Sequence, residues 1–129
     1  PPRWRMVICI PTSMTEVEKR FLHNISLAQT SIKNRCELHI HKGLSHLKLS
    51  QLLLSGFESY FDFIYIDGLH TYDQIKKDIR NYYPIINKGG FIGGHDFHKN
   101  WQGVIDGILE TIGIPNETFK DTSWIKQVK

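Results

Sequence analysis

Cysteine is nearly absent from this chain: Cys9 and Cys36 are its only two. Both lie in apolar, strand-like runs, and neither belongs to a CxxC pair or a zinc-ligand spacing. Buried thiols in a reducing compartment are expected, with a disulfide between adjacent strands and a zinc pair at His39 and His41 the weaker alternatives. Long hydrophobic runs are missing as well, as is any signal-peptide pattern. The expectation is a cytoplasmic protein with no membrane partner. Charge of one sign is scarce. The 16 basic and 13 acidic side chains leave a formal +3, and the basic ones are scattered rather than run together among aromatics. No nucleic-acid partner is expected. There is no initiator methionine, since the chain opens Pro1-Pro2-Arg3, and it therefore reads as an excerpt of something longer.

What is present suits a globular domain. The chain is 129 residues long, 40% hydrophobic and 22% charged. That is enough for one domain, 1–129, with a real core. Strand and helix patterns alternate. Residues 6–10 (MVICI) form a continuous apolar run, as in a buried parallel strand, and Pro11 ends it. Ser13 with Glu16, and Thr15 with Glu18, have capping-box spacing and predict a helix start. Residues 36–40 (CELHI) read as a second strand, and Ser45 caps a helix that Gly56 stops. Residues 60–67, rich in aromatic and β-branched types, make the strongest strand. Thr71 and Gln74 form another capping box, opening a helix with Tyr72, Ile75, Ile79 and Tyr82 on its inner face. Residues 87–90 predict a turn and 91–94 a fourth strand. A last helix fits 102–112, capped by Asn100, and 118–119 with 124–128 predict a closing hairpin.

The chemistry concentrates in residues 61–97. One strand there ends in Asp67-Gly68-Leu69-His70 and the next in His95-Asp96. Alternating strands and helices imply a parallel sheet, whose adjacent carboxyl ends open on one crevice. The two clusters should therefore meet although about thirty residues apart in sequence. Each element also has a plain reading. Asp67-Gly68 suits a strand-ending turn, His70 can pack at a helix N-terminus, and Asp96 can cap the next segment.

The pattern FDFIYIDGLHTYDQIKKDI, followed by YYPIINKGGFIGGHD, resembles class I S-adenosylmethionine-dependent methyltransferases. Within them it is most similar to the branch of small-molecule and sugar O-methyltransferases. The resemblance is close over residues 61–97 and looser from Met6 to the end. It implies an α/β, Rossmann-like, mostly parallel sheet with helices on both faces and a C-terminal antiparallel hairpin. S-adenosylmethionine is the implied cofactor, and a small-molecule hydroxyl the implied acceptor. Carried over residue by residue, Asp67 and Asp96 become ligands of a divalent cation, magnesium or manganese, with His95 a third. His70 becomes the general base, a role Asp67 can share. Gly43, Leu44 and Ser45 border the adenine, and Asp67, Gly68 and His70 complete the cofactor contacts.

The sequence departs from that family at its start. The family's domain opens with a strand leading into a glycine-rich loop, and nothing before Met6 supplies them. After residues 6–10 no acid appears until Glu16, where the family places a ribose-binding carboxylate. The expectation is an N-terminally truncated fold holding the catalytic half of the site. Two alternatives stand beside it. One is a cofactor-free remnant acting as a binding or homo-oligomerisation module. The other is a metal-dependent hydrolase built on Asp67, His70, His95 and Asp96.

Overall fold

The structure is a computed structural model that describes residues 4–10, 15–31, 36–42, 45–54, 56 and 61–129. Contacts divide the chain into two compact units, residues 1–48 and 49–129. In the first, β1 (Trp4–Ile10) and β2 (Cys36–Lys42) pair in parallel with α1 (Thr15–Ser31) between them. The register is unbroken from Trp4 opposite Cys36 to Ile10 opposite Lys42. Helix α2 (Ser45–Leu54) follows, and the division falls within it. Gly56 ends that segment at φ 82°, its N–H bonded to the Leu53 carbonyl, as expected of a helix-stopping glycine.

The second unit carries a four-stranded sheet in the order β3-β4-β6-β5. Strands β3 (Phe61–Ile66) and β4 (Ile86–Gly94) are parallel, joined through α3 (Tyr72–Tyr82) and a 3-10 turn at Tyr83–Ile85. Helix α4 (Gln102–Ile112) then leads to β5 (Glu117–Thr118) and β6 (Trp124–Gln127), which pair antiparallel as the predicted hairpin. One sheet face is apolar and buried. Ile66, Ile92 and Trp124 pack there against Ile75 and Ile79 of α3 and Val104 and Ile108 of α4. The other face carries Phe63, Tyr65 and Phe91, all exposed to a third or more.

Helix α3 begins where its capping box places it: the Thr71 side chain accepts the Gln74 N–H at 3.2 Å. Three local expectations shift. Residues 87–90 are not a free turn but a bulge within β4. Phe61 faces Ile86 and Phe63 faces Phe91, so five steps on β4 match two on β3. Gly89 takes φ 81° there, and its N–H bonds to the Val128 carbonyl, which pins the bulge to the chain just past its last strand. The turn before α4 is capped by His98, whose Nδ1 accepts the Asn100 N–H, rather than by Asn100. Tyr72 stands at the rim of α3, because the inner face is set by Ile75, Asp78, Ile79 and Tyr82.

From that rim Tyr72 helps tie α3 to α4. Its hydroxyl donates to Glu110 Oε2, while Lys76 Nζ donates to Glu110 Oε1 and to the Tyr72 oxygen, each at 2.8 Å. The hydrogen bonds from Lys76 and then Tyr72 hold the Glu110 carboxyl below its usual range. The same contact with Glu110 raises the Lys76 ammonium. A carboxyl lowered in the folded state stabilises above its unfolded pKa, and that stability is lost as pH falls through the lowered value. Urea midpoints of the wild type should therefore drop between about pH 5 and pH 3 more than those of Glu110→Gln. Parallel pH curves for the two proteins would refute this role.

Candidate active site

The parallel pairing of β3 with β4 brings Ile66 opposite Gly94, and the His95 N–H extends the ladder to the Ile66 carbonyl at 3.3 Å. The next residues, Asp67 on one side and His95-Asp96 on the other, thus leave adjacent strands together. Asp67 is exposed, His95 half-buried and Asp96 buried. One ligand atom from each lies within 4.8 Å of the others. His70 joins them from the turn that enters α3, its Nε2 2.6 Å from Asp96 Oδ2. The second Asp96 oxygen, Oδ1, is 3.1 Å from His95 Nδ1. Asp96 is therefore the hub, each oxygen facing one imidazole.

The four residues named for chemistry at these strand ends are brought together. Gly43 and Leu44 lie outside the described residues, and Ser45 is described only as the first backbone position of α2. Gly68 is exposed beside Asp67, and a Cβ built on it would stand 3.3 Å from Asp78 Oδ2. Asp78 itself is buried on the apolar face of α3, with Gln74 Nε2 donating to its Oδ1 at 2.9 Å. Together with Asp67, His70, His95 and Asp96 it lines a cleft of about 10 Å³, which is room for a water or an ion and no more.

Sequence reasoning missed Asp78 and Thr122 in this neighbourhood, and weighed Trp101 as an entrance residue or a plain loop residue without choosing. Asp78 had a signal, since it falls three residues after Ile75 and beside Ile79, where helical periodicity wants an apolar side chain. Trp101 stacks against His70 with ring centroids 4.6 Å apart, and nothing in the loop sequence marks it for that contact. Thr122 reaches His95 Nε2 at 3.3 Å from the hairpin loop, across 27 residues of sequence.

The donor set fits a hard divalent cation. Two carboxylates and an imidazole are the ligands magnesium and manganese accept. Atoms bound to one such ion at about 2.0–2.5 Å are at most about 4–5 Å apart, the spread found here. The local field is negative too. Burial raises the Tyr65 phenol above its ordinary range, and the charges of Asp67, Asp121 and Asp96 raise it further.

The comparisons with known proteins agree with one another. The family model described as a methyltransferase domain matches residues 7–97. A TDP-rhamnose 3'-O-methyltransferase, an enzyme in calicheamicin biosynthesis solved in its apo form, is similar in structure with a TM-score of 0.69. At 13% identity the likeness is one of fold, and it covers 95% of this chain. The chain spans 58% of that protein's length. No curated protein matches the chain.

Proposed function

The chain belongs to the methyltransferase-domain family, and from that premise we propose that its protein moves a methyl group from S-adenosylmethionine to a small-molecule hydroxyl, with a divalent cation assisting. The observation that carries this reading is the Asp96 hub, with both oxygens facing imidazoles and Asp67 within ligand distance. The matched residues, 7–97, also run across the division at 48–49, which supports treating 1–129 as one domain.

In this reading Asp67, His95 and Asp96 hold the cation, which when bound lowers the pKa of a hydroxyl resting on it. S-adenosylmethionine supplies an electrophilic methyl on sulfur. The exposed Asp67 and Gly68, with His70, would contact that cofactor. His70 acts as base. Asp96 Oδ2 takes the Nε2 proton of His70 in a 2.6 Å contact, which fixes the ring and leaves Nδ1 to accept the acceptor's proton. The cleft is narrow, so in this reading the hydroxyl approaches at its mouth, where His70 is partly exposed and Trp101 stands beside it. The structural neighbour acts on a TDP-sugar, which makes sugar nucleotides the first acceptors to try.

The test uses the full-length protein. Calorimetry should detect S-adenosylmethionine binding. Transfer to a panel of sugar nucleotides and phenols should fall at least tenfold with EDTA and return with magnesium or manganese. Absence of cofactor binding would overturn the methyltransferase reading. Ester cleavage that needs metal and no cofactor would replace it with a hydrolase. Full transfer in EDTA would remove the cation alone.

A further inference from the structure

Among the described residues two that are not glycine adopt the left-handed backbone, Asp96 at φ 65° and Thr122 at φ 71°. Aspartate is tolerated there, but a β-branched residue is a clear outlier. The two positions meet. The Phe97 N–H donates to the Thr122 carbonyl at 2.9 Å, and Thr122 Oγ1 lies 3.3 Å from His95 Nε2. The hairpin loop holds this conformation from several sides. The Thr122 N–H donates to the Phe119 carbonyl, the Phe119 N–H to the Ser123 carbonyl, and the Ser123 N–H and hydroxyl to Asp121 Oδ1. Those Ser123 bonds keep the Asp121 carboxyl below its ordinary range.

For the turn alone, glycine or asparagine would serve better. What threonine adds is its hydroxyl. The two ring nitrogens of His95 face different partners, Nδ1 toward Asp96 Oδ1 at 3.1 Å and Nε2 toward Thr122. Turning the imidazole over would break both contacts at once. The tautomer of a histidine is set by the partner of its second nitrogen. We infer that Thr122 is a positioning residue for His95. With a cation bound, its oxygen would accept the Nε2 proton and leave the Nδ1 lone pair to the ion that Asp96 also holds; without one, Nδ1–H donates to Asp96 Oδ1 at 3.1 Å and the Thr122 hydroxyl donates to Nε2. The inference rests on the cation reading above and deepens it, adding to the site a residue from the strand hairpin.

The experiment compares Thr122→Gly, Thr122→Ser and Asp67→Asn in the full-length protein. It has three readouts: thermal stability, affinity for Mn²⁺ alone, and nitrogen NMR of the histidine rings. A merely structural role predicts that Thr122→Gly changes stability only. A positioning role predicts a melting temperature no lower than wild type, because glycine relieves the left-handed backbone. It also predicts a Kd for Mn²⁺ raised about tenfold or more and, with Mg²⁺ bound, loss of the single Nε2–H tautomer at His95. Thr122→Ser, which keeps the hydroxyl, should stay within about threefold of wild type. Wild-type Mn²⁺ affinity and an unchanged His95 spectrum in Thr122→Gly would overturn the inference. If Mn²⁺ affinity is instead indifferent to Asp67→Asn, the cation reading fails. The His95 spectrum then decides Thr122 by itself, a changed tautomer supporting the positioning role and an unchanged one refuting it.

Discussion

Asp96→Asn in the full-length protein is expected to lower methyl transfer by about a hundredfold or more while the protein stays folded. Asparagine is the informative replacement because position 96 sits at φ 65°. Asparagine adopts that backbone readily, whereas alanine there adds roughly 1–2 kcal/mol of strain and confuses a chemical loss with a structural one. The amide keeps the shape of the carboxylate but not its charge, and it can present an oxygen to only one of the two imidazoles. If the amide oxygen keeps the His70 contact at 2.6 Å, the amide N–H takes the place beside His95 Nδ1 that a cation would need, and a cation loses a negative ligand in either orientation. Loss of an oriented general base accounts for about 10²–10⁴ in rate, and loss of a metal ligand or its support adds to it. The measurement is kcat with saturating cofactor and Mn²⁺, beside a urea unfolding curve on the same preparation. An Asp96→Asn protein that keeps a tenth of wild-type kcat would show that the hub is architecture and not machinery.

The part of this site that was legible in the sequence is the part that local rules control. A run of aromatic and β-branched residues from 61 to 66, a capping box at Thr71 and Gln74, and a second strand after the helix are enough to place Asp67 beside His95 and Asp96. The parallel pairing follows from the helix between the strands. What stayed hidden depends on contacts between distant segments. The periodicity of α3 puts Asp78 on the inner face, but not its place beneath Gly68 at the lining of the cleft. The bulge at 87–90 reads as an ordinary turn until Val128, just past the last strand, is found holding it. Thr122 carries no signal at all, since neither its left-handed backbone nor its reach to His95 follows from the hairpin sequence. The cofactor side is different in kind. Gly43 and Leu44 are outside the described residues, so their role rests on the family alone.

Gly94→Ala should be among the most damaging single methyls at the described glycines, destabilising by about 3 kcal/mol or more. Gly94 ends β4 opposite Ile66 on one side and Trp124 on the other. A Cβ added there would stand 2.4 Å from the Ile66 carbonyl oxygen, 3.0 Å from Trp124 Nε1 and 3.1 Å from Trp124 Cε2. The indole has nowhere to go. Trp124 is 1% exposed, is one of the largest buried side chains, and packs among Ile66, Ile92 and Ile108 in the one core. Its Nε1 has no hydrogen-bond partner among the described residues, so the ring is held by packing alone. Trp124→Phe in the Gly94→Ala background removes that nitrogen and should recover part of the loss. It leaves the clash with the Ile66 backbone, which only a shift of β3 against β4 can relieve. That shift carries Asp67 away from His95 and Asp96, so the residual activity of Gly94→Ala should fall even below its melting temperature. Urea unfolding reads the first effect and Mn²⁺ affinity the second. A Gly94→Ala protein within about 0.5 kcal/mol of wild type would mean that the strand ends tolerate sliding, and a site built on their register would not survive that result.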